Sequence, residues 1–314
     1  MVGSSHQGWH RYFPAKIGKV IEKREMVHVI KDVQNVLGTF VTITVAHPDV
    51  DEGIGALRAA FDEIYRIQDL MSVHKQSSEV GVLNREGFCE GISSDTKYVI
   101  QRAKDFSELS GGAFDISVLP VLKLLEESAH KSKVPADTEI SERLELVNYT
   151  NIIIEDRKIS FRKAGMGITL AGVAKGYAVD NAIETLRRGN IRHALVNAGG
   201  DIRSLGGKTE TMPWKAAIRD PRNKTRIVTV VELYDQAIAT SGTYQRSFND
   251  MINPKTGRPA QGVLSSTVIA EKALDADALA TCMFILGAEK RIELLGRLNG
   301  VRSLVITSDG CILQ

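Results

Sequence analysis

Apolar positions recur along this chain with two periods, near two and near three and a half, and they divide it into alternating strands and helices. Residues 26–30 and 36–45 alternate as half-buried strands do, with the joint expected around Asn35. Pro48-Asp49 marks a turn. Leu57, Ala60, Phe61, Ile64, Ile67 and Leu70 then predict a helix over 51–70 with one apolar face. A second helix is expected over 96–109, with Ser93, Ser94 and Asp95 available as caps and Ser110-Gly111-Gly112 as its stop. An apolar stretch follows over 116–125. Short strands at 152–154 and 159–161 flank a turn at Asp156-Arg157.

The densest unit runs from Ile168 to Gly206. A Gly-rich turn, Ala171-Gly172, leads into Val173-Ala174-Lys175-Gly176 and a helix from Tyr177 to about Arg188, which Gly189 stops. A buried strand over 193–197 ends in a second Gly-rich turn, Ala198-Gly199-Gly200-Asp201. A helix start with free N–H groups suits an anion, and either turn lets a ligand meet main chain. Equally, the unit reads as an ordinary αβ element with tight turns. Strands at 214–218, 227–233, 237–239, 263–270 and 302–307 and helices at 275–286 and 289–298 complete the pattern. Three polar stretches lack a clear period: 71–87, a lid or a surface loop; 126–141, with a weakly ordered insert over 131–140; and the turn-rich 249–257. Helices interleaved with strand pairs indicate an α+β (mixed α/β) fold of antiparallel-rich sheets, with a tail over 1–24 and one domain over 25–314.

Composition narrows the partners. The 314 residues are 43% hydrophobic and 25% charged with a net charge of +2, and basic and acidic residues are interspersed, so bulk charge provides no surface for nucleic acid or anionic membrane. Cys89, Cys282 and Cys311 show neither metal spacing nor a disulfide framework, which favours a reducing compartment; Cys282 reads as core. No apolar run approaches a membrane span, and the first residues lack a signal peptide's apolar region. A cytoplasmic protein is expected, or an exported form whose leader was trimmed.

Several side chains could carry chemistry. Asp277 and Thr281 are four apart on a predicted helix and share a face; a carboxylate and a hydroxyl there suit Mg²⁺, or else form an acidic first turn with a threonine bonding back to the backbone. Lys175 is a phosphate clamp or a solvated helix-start lysine. Thr240-Ser241-Gly242 places hydroxyls on a phosphate or ends a strand. Asp115 accepts a ligand N–H or caps the next helix. His193, inside a strand, reads as a satisfied core histidine. No catalytic triad, P-loop or dinucleotide fingerprint is visible.

Taken in order, SGGAFDISVLP, GVAKGYAVD, ALVNAGGDIRSLG, AIATSGTYQ, INPKTGRP and ADALATCMFILG resemble the ApbE family of flavin transferases, from about Val36 to the C-terminus. The resemblance implies a single ApbE-like fold around a central cleft. It implies binding of FAD and Mg²⁺ and transfer of FMN onto a threonine or serine hydroxyl of an acceptor protein through a phosphoester, with release of AMP. By position, Asp277, Thr281 and the main-chain oxygen of Gly172 match metal ligands. Ala113, Phe114, Asp115 and Lys175 match cofactor contacts, Thr240, Ser241 and Gly242 match the turn near the phosphates, and Ile252 falls in the family's H-I-I-D-P-x-T-G stretch. Thr240 and Asp250 stand at positions implied in catalysis.

Four positions depart from the family pattern. Thr169 replaces an aspartate, Leu37 a methionine and His74 a tyrosine, all at cofactor-side positions. Asp250 stands in place of the histidine taken as base, with Asn253 in place of the following aspartate. A carboxylate with an ordinary pKa of about 4 is a weaker base than histidine. Two alternatives to transfer therefore accompany the resemblance: hydrolysis of FAD to FMN and AMP, or FAD binding with impaired catalysis.

Overall fold

The computed structural model describes residues 26–242 and 251–314; the tail expected over 1–24 and Asp250 lie outside the described residues. The chain opens with the hairpin β1 (His28–Val36) and β2 (Thr39–His47). Its turn is Leu37-Gly38, both at positive φ (59° and 68°), the mirror-image geometry that matches strand twist. The joint expected near Asn35 is thus two residues later, because leucine rarely accepts positive φ. The Leu37 N–H donates to Gln68 Oε1 (2.6 Å), which holds the turn in place.

Helix α1 (Val50–Met71) starts where Asp49 accepts the Glu52 N–H (2.9 Å) and buries the expected stripe through Leu57, Phe61, Ile64 and Ile67. The stretch read as lid or surface loop contains instead a capped helix, α2 (Glu79–Glu86): Ser78 Oγ accepts the Gly81 N–H, Val80 and Leu83 are buried, and Gly87 closes the helix at φ 78°. After β3 (Phe88–Glu90) come α3 (Ser94–Leu109), a 3₁₀ turn (Ile116–Val118), α4 (Leu119–His130) and α5 (Asp137–Leu144). The insert expected to be weakly ordered therefore includes the start of a helix, whose Glu139 side chain accepts the Ala136 N–H (2.8 Å).

Strands β4 (Ile152–Ile154) and β5 (Lys158–Phe161) pair with β3 in a small sheet. Then come α6 (Ala174–Arg188), β6 (His193–Ala198), β7 (Asp201–Leu205), the hairpin β8 (Trp214–Asp220) and β9 (Asn223–Leu233), and β10 (Ala237–Gly242). A minimal hairpin, β11 (Ile252–Asn253) and β12 (Arg258–Pro259), precedes β13 (Val263–Ala270), α7 (Ala273–Leu295), β14 (Arg302–Thr307) and β15 (Ile312–Leu313). The two helices expected over 275–298 form one element, α7, broken at Gly287, whose φ of 79° and ψ of −177° only glycine adopts readily.

Eight strands form one antiparallel sheet in the order β1-β2-β6-β7-β10-β13-β14-β15. One face carries α1, α6 and α7, and the main core lies there: Val41, Ile43 and Val45 of β2 meet Phe61 and Ile64 of α1 and Ile183 of α6. Fully burying each such side chain stabilises by about 1.5–3 kcal/mol. The β8–β9 hairpin covers part of the opposite face. Trp214, Ala216 and Ile218 alternate inward and pack on Ile238, Ile269 and Leu304. Among the described residues, no helix is long and apolar enough to cross a membrane.

Two contacts fix the helices relative to each other. A Cβ on Gly176 would lie 2.3 Å from the Ala273 carbonyl oxygen, so α6 and α7 touch backbone to backbone at their N-termini. Helix α7 has no side-chain cap of its own; Asp180 of α6 accepts the Ala273 (2.8 Å) and Leu274 (3.0 Å) N–H groups. Arg203 of β7 pairs with the same carboxylate (2.9 Å).

Candidate functional site

A cleft with about 940 Å³ of space open to solvent lies where α6 and α7 begin and β10 ends. Its polar floor is built by three elements. Lys175 is the second residue of α6, Asp277 and Thr281 lie one turn apart in α7, and Ser241 comes from β10. Ser241 Oγ and Thr281 Oγ1 are 3.1 Å apart, and the Gly176 N–H donates to Asp277 Oδ2 (3.3 Å). Gly172 presses its backbone into this corner, since a Cβ there would lie 3.4 Å from Thr281 Oγ1 and 3.0 Å from the Phe114 ring.

Local hydrogen bonds hold the segment that carries Gly172. Asn84 of α2 donates to the Ile168 carbonyl (2.8 Å) and accepts the Ile168 N–H (2.7 Å), as a neighbouring strand would. The Thr169 N–H donates to the Ile116 carbonyl (2.8 Å), and Thr169 Oγ1 accepts the Ala171 N–H (3.3 Å). Thr169 thus serves as a local turn former, a role a hydroxyl fills more weakly than a carboxylate. The chain then turns at Leu170, whose carbonyl accepts from Val173 (3.0 Å) and Ala174 (2.8 Å), and enters α6 without a side-chain cap.

The electrostatics centre on one ammonium and two carboxylates. Lys175 Nζ donates to Asp201, the first residue of β7, at very short range, and more loosely to both oxygens of Asp277 (3.3 and 3.4 Å). Burial pulls the Lys175 ammonium down, but the carboxylates of Asp201 and Asp277 outweigh it and hold the lysine protonated well above its usual range. Burial, and then the charge of Asp201, push the Asp277 carboxyl above the usual carboxylate range, against the opposing pull of Lys175 and the Gly176 N–H. This floor is short of positive charge by one.

The remaining wall is largely apolar: Phe114, Val118, Leu122, Met251, Ile252 and Ile285. The Phe114 N–H is held by Ser110 Oγ (3.0 Å), just past the end of α3. Asp115 borders the cleft but is spent as a cap. Its Oδ1 accepts from Ser117 N–H (2.8 Å) and Oγ (2.6 Å), its Oδ2 from Tyr149 N–H (3.0 Å), and burial raises its pKa.

The cleft therefore gathers Phe114, Asp115, Thr169, Gly172, Lys175, Thr240, Ser241, Gly242, Ile252, Asp277 and Thr281. Leu37 is in the β1–β2 turn, His74 is exposed, and Ala113 is buried beside Phe114 without lining the cleft. The Thr240 hydroxyl is paired with Thr267 (2.9 Å) across β10 and β13. The Gly199-Gly200 turn, read as a second ligand contact, is a hairpin turn outside the lining; its following residue, Asp201, is the one that reaches the site. Asp201 and Asn84 escaped sequence reasoning, and the only signal for Asp201 was its place after two glycines. His193 is satisfied by the Gly207 carbonyl (2.9 Å) and Glu210 (3.3 Å), and Cys282 is core.

A divalent cation fits this donor set in one particular way. Among the described residues no three His, Cys, Asp or Glu side chains group as a metal cage. One buried carboxylate, one hydroxyl and a nearby main chain are too few for zinc or calcium, but they suit Mg²⁺, which keeps waters or phosphate oxygens in its remaining positions.

A profile of the ApbE family matches residues 37–305. The chain is 31% identical over 259 residues to an FAD:protein FMN transferase of Vibrio cholerae, covering 78% of this chain and 77% of that relative. It is 29% identical over 283 residues to one from Treponema pallidum, covering 81% and 78%. Among solved structures, the ApbE protein of Thermotoga maritima matches with a TM-score of 0.84 at 31% identity, covering 91% of this chain and 97% of that one. The flavin transferase ApbE from Vibrio cholerae matches with a TM-score of 0.81 at 27% identity, covering 92% and 97%.

Proposed function

Because this chain belongs to the ApbE family, we propose that it is an FAD:protein FMN transferase, moving FMN from FAD onto a threonine or serine hydroxyl of an acceptor protein. The observation that carries the reading is convergence. Residues from five of the six separated motifs, among them Phe114, Gly172, Lys175, Ser241, Ile252 and Asp277, line a single cleft with an apolar wall and a charged floor. A flat flavin ring matches the wall by Phe114 and Ile252, and a pyrophosphate would match the floor at the start of α6 once a divalent cation offsets the floor's excess negative charge.

In the reaction, the acceptor oxygen bonds to the phosphorus on the FMN side, the bond from that phosphorus to the AMP portion breaks, and AMP leaves. Mg²⁺, when bound, would be held by Asp277, Thr281 and the Gly172 carbonyl and would neutralise charge on the pyrophosphate. Lys175, anchored by Asp201, adds a fixed positive charge at the same end of the cleft. Ser241, through Thr281, keeps the hydroxyl face of the floor in register. The acceptor's proton needs a base, and we assign it to Asp250, which directly precedes the cleft residue Met251 in sequence.

The test is AMP release from FAD, measured with and without Mg²⁺ and with and without an acceptor carrying a flavinylation motif. AMP should appear when both are present. AMP formed equally well without acceptor would make the protein a pyrophosphatase instead. Tight FAD retention with no AMP under any condition would make it a flavin-binding protein.

A further inference from the structure

The Lys175 ammonium is shared between two carboxylates, Asp201 and Asp277. Asp201 is buried, does not line the cleft, and makes its hydrogen bond to the site through the Lys175 ammonium. Resting on the metal site proposed above, we propose that Asp201 is a positioning residue that keeps the Asp277 carboxylate available to a divalent cation by holding the Lys175 ammonium away from it.

Three observations carry this. First, the lysine is shared unequally. Its contacts to Asp277, 3.3 and 3.4 Å, are long for a charge-assisted hydrogen bond, normally about 2.7–2.9 Å, whereas Asp201 holds it tightly. Second, the charges do not cancel. With both carboxylates ionised, two carboxylates and one ammonium leave the group at −1, so an incoming cation finds uncompensated charge where Asp277 and Thr281 line the cleft. With Asp201 neutral, nothing would oppose closure of Lys175 on Asp277, and the pair would be net neutral. Third, Asp201 is fixed in place. It opens β7 directly after the Gly199-Gly200 turn, and Gly199, at φ +62°, packs so closely that a Cβ would lie 2.5 Å from Thr39 Oγ1.

The experiment is a charge cycle read as divalent-cation affinity, with no turnover involved. Titration calorimetry with Mg²⁺, and Mn²⁺ binding followed by electron paramagnetic resonance, are carried out on the full chain with FAD present. Asp201→Asn, close to isosteric, should weaken cation binding ~10-fold or more. Lys175→Met, measured at saturating FAD, leaves the group at −2 and should tighten it. The double variant Asp201→Asn/Lys175→Met returns the group to −1 and should recover affinity to within ~3-fold of the parent. Thermal unfolding of each variant confirms a folded state, and rescue by the second substitution separates a charge effect from damage to the fold. The proposal is overturned if Asp201→Asn binds the cation like the parent, or if the double variant stays as weak as Asp201→Asn. A parent protein that binds neither cation with FAD bound would instead overturn the metal site itself, and this inference with it.

Discussion

Two ion pairs sit side by side between β7 and α6, two residues apart on the strand and five on the helix, and they are built to opposite ends. Arg203 and Asp180 form a closed pair. The Asp180 carboxylate takes Arg203 and two N–H groups of α7, Arg203 also reaches Glu184 (3.5 Å), whose charge Arg187 balances, and both Arg203 and Asp180 are buried. Lys175, Asp201 and Asp277 form an open group with one carboxylate too many, facing a cleft. The closed pair fastens the first turn of α7; the open group uses that fastened turn as a binding surface. A buried charge balanced by countercharges inside the protein is architecture, and one left unbalanced at an opening is where a ligand contributes.

This contrast can be broken in several places. The largest effect is expected at the open end: Asp277→Ala should lower AMP release at least ~10²-fold, since it removes a charge that acts directly on the reacting phosphates. Its thermal midpoint should hold or rise, because burial disfavours the ionised carboxylate there. The reverse is expected of the closed pair. Asp180→Ala strands Arg203 and uncaps α7, costing about 3 kcal/mol in a denaturant titration. Gly176→Ala tests the joint between them. Its new Cβ would meet the Ala273 carbonyl, so a loss of about 1–3 kcal/mol is expected together with weaker FAD binding, measured by flavin fluorescence.

The smallest effect belongs to a half-buried group that serves as a reference. Asp95 accepts from Tyr177 (2.5 Å) and Arg66 (2.9 Å). Partial burial raises its pKa, but these two partners outweigh it and hold the carboxyl below its ordinary range. A folded-state pKa below the unfolded value of about 3.9 means the stabilisation is complete above that pH and is lost as pH falls through the folded value. Asp95→Asn should flatten that acid limb, by less than about 1 kcal/mol because solvent screens the cluster. A larger acid effect at Asp95 than the loss at Asp180 would remove the distinction between closed and half-buried pairs.

Much of this was legible in the chain. The α1 stripe and the strands of the main sheet carry clean periods, and Asp277 with Thr281 is a one-turn spacing that any helix converts into one face. What escaped has identifiable causes. Helix α2 is eight residues long in a polar run, with few apolar positions to betray it, so its Ser78 cap passed for loop. The β1–β2 turn places a leucine at positive φ, against ordinary turn grammar. Asp201 meets Lys175 across 26 positions of sequence, a contact that exists only once β7 lies beside α6. Its neighbour Arg203 finds Asp180 in the same way.

The central claim is that the cleft at the start of α6 and α7 transfers FMN to a protein hydroxyl, and intact-mass analysis of an acceptor protein after incubation with FAD, Mg²⁺ and this chain tests it most directly. The expected result is a gain of one FMN per acceptor site, absent when Asp277→Ala replaces the parent chain. An acceptor that another transferase can flavinylate, yet gains no mass here under saturating FAD and Mg²⁺, would contradict it.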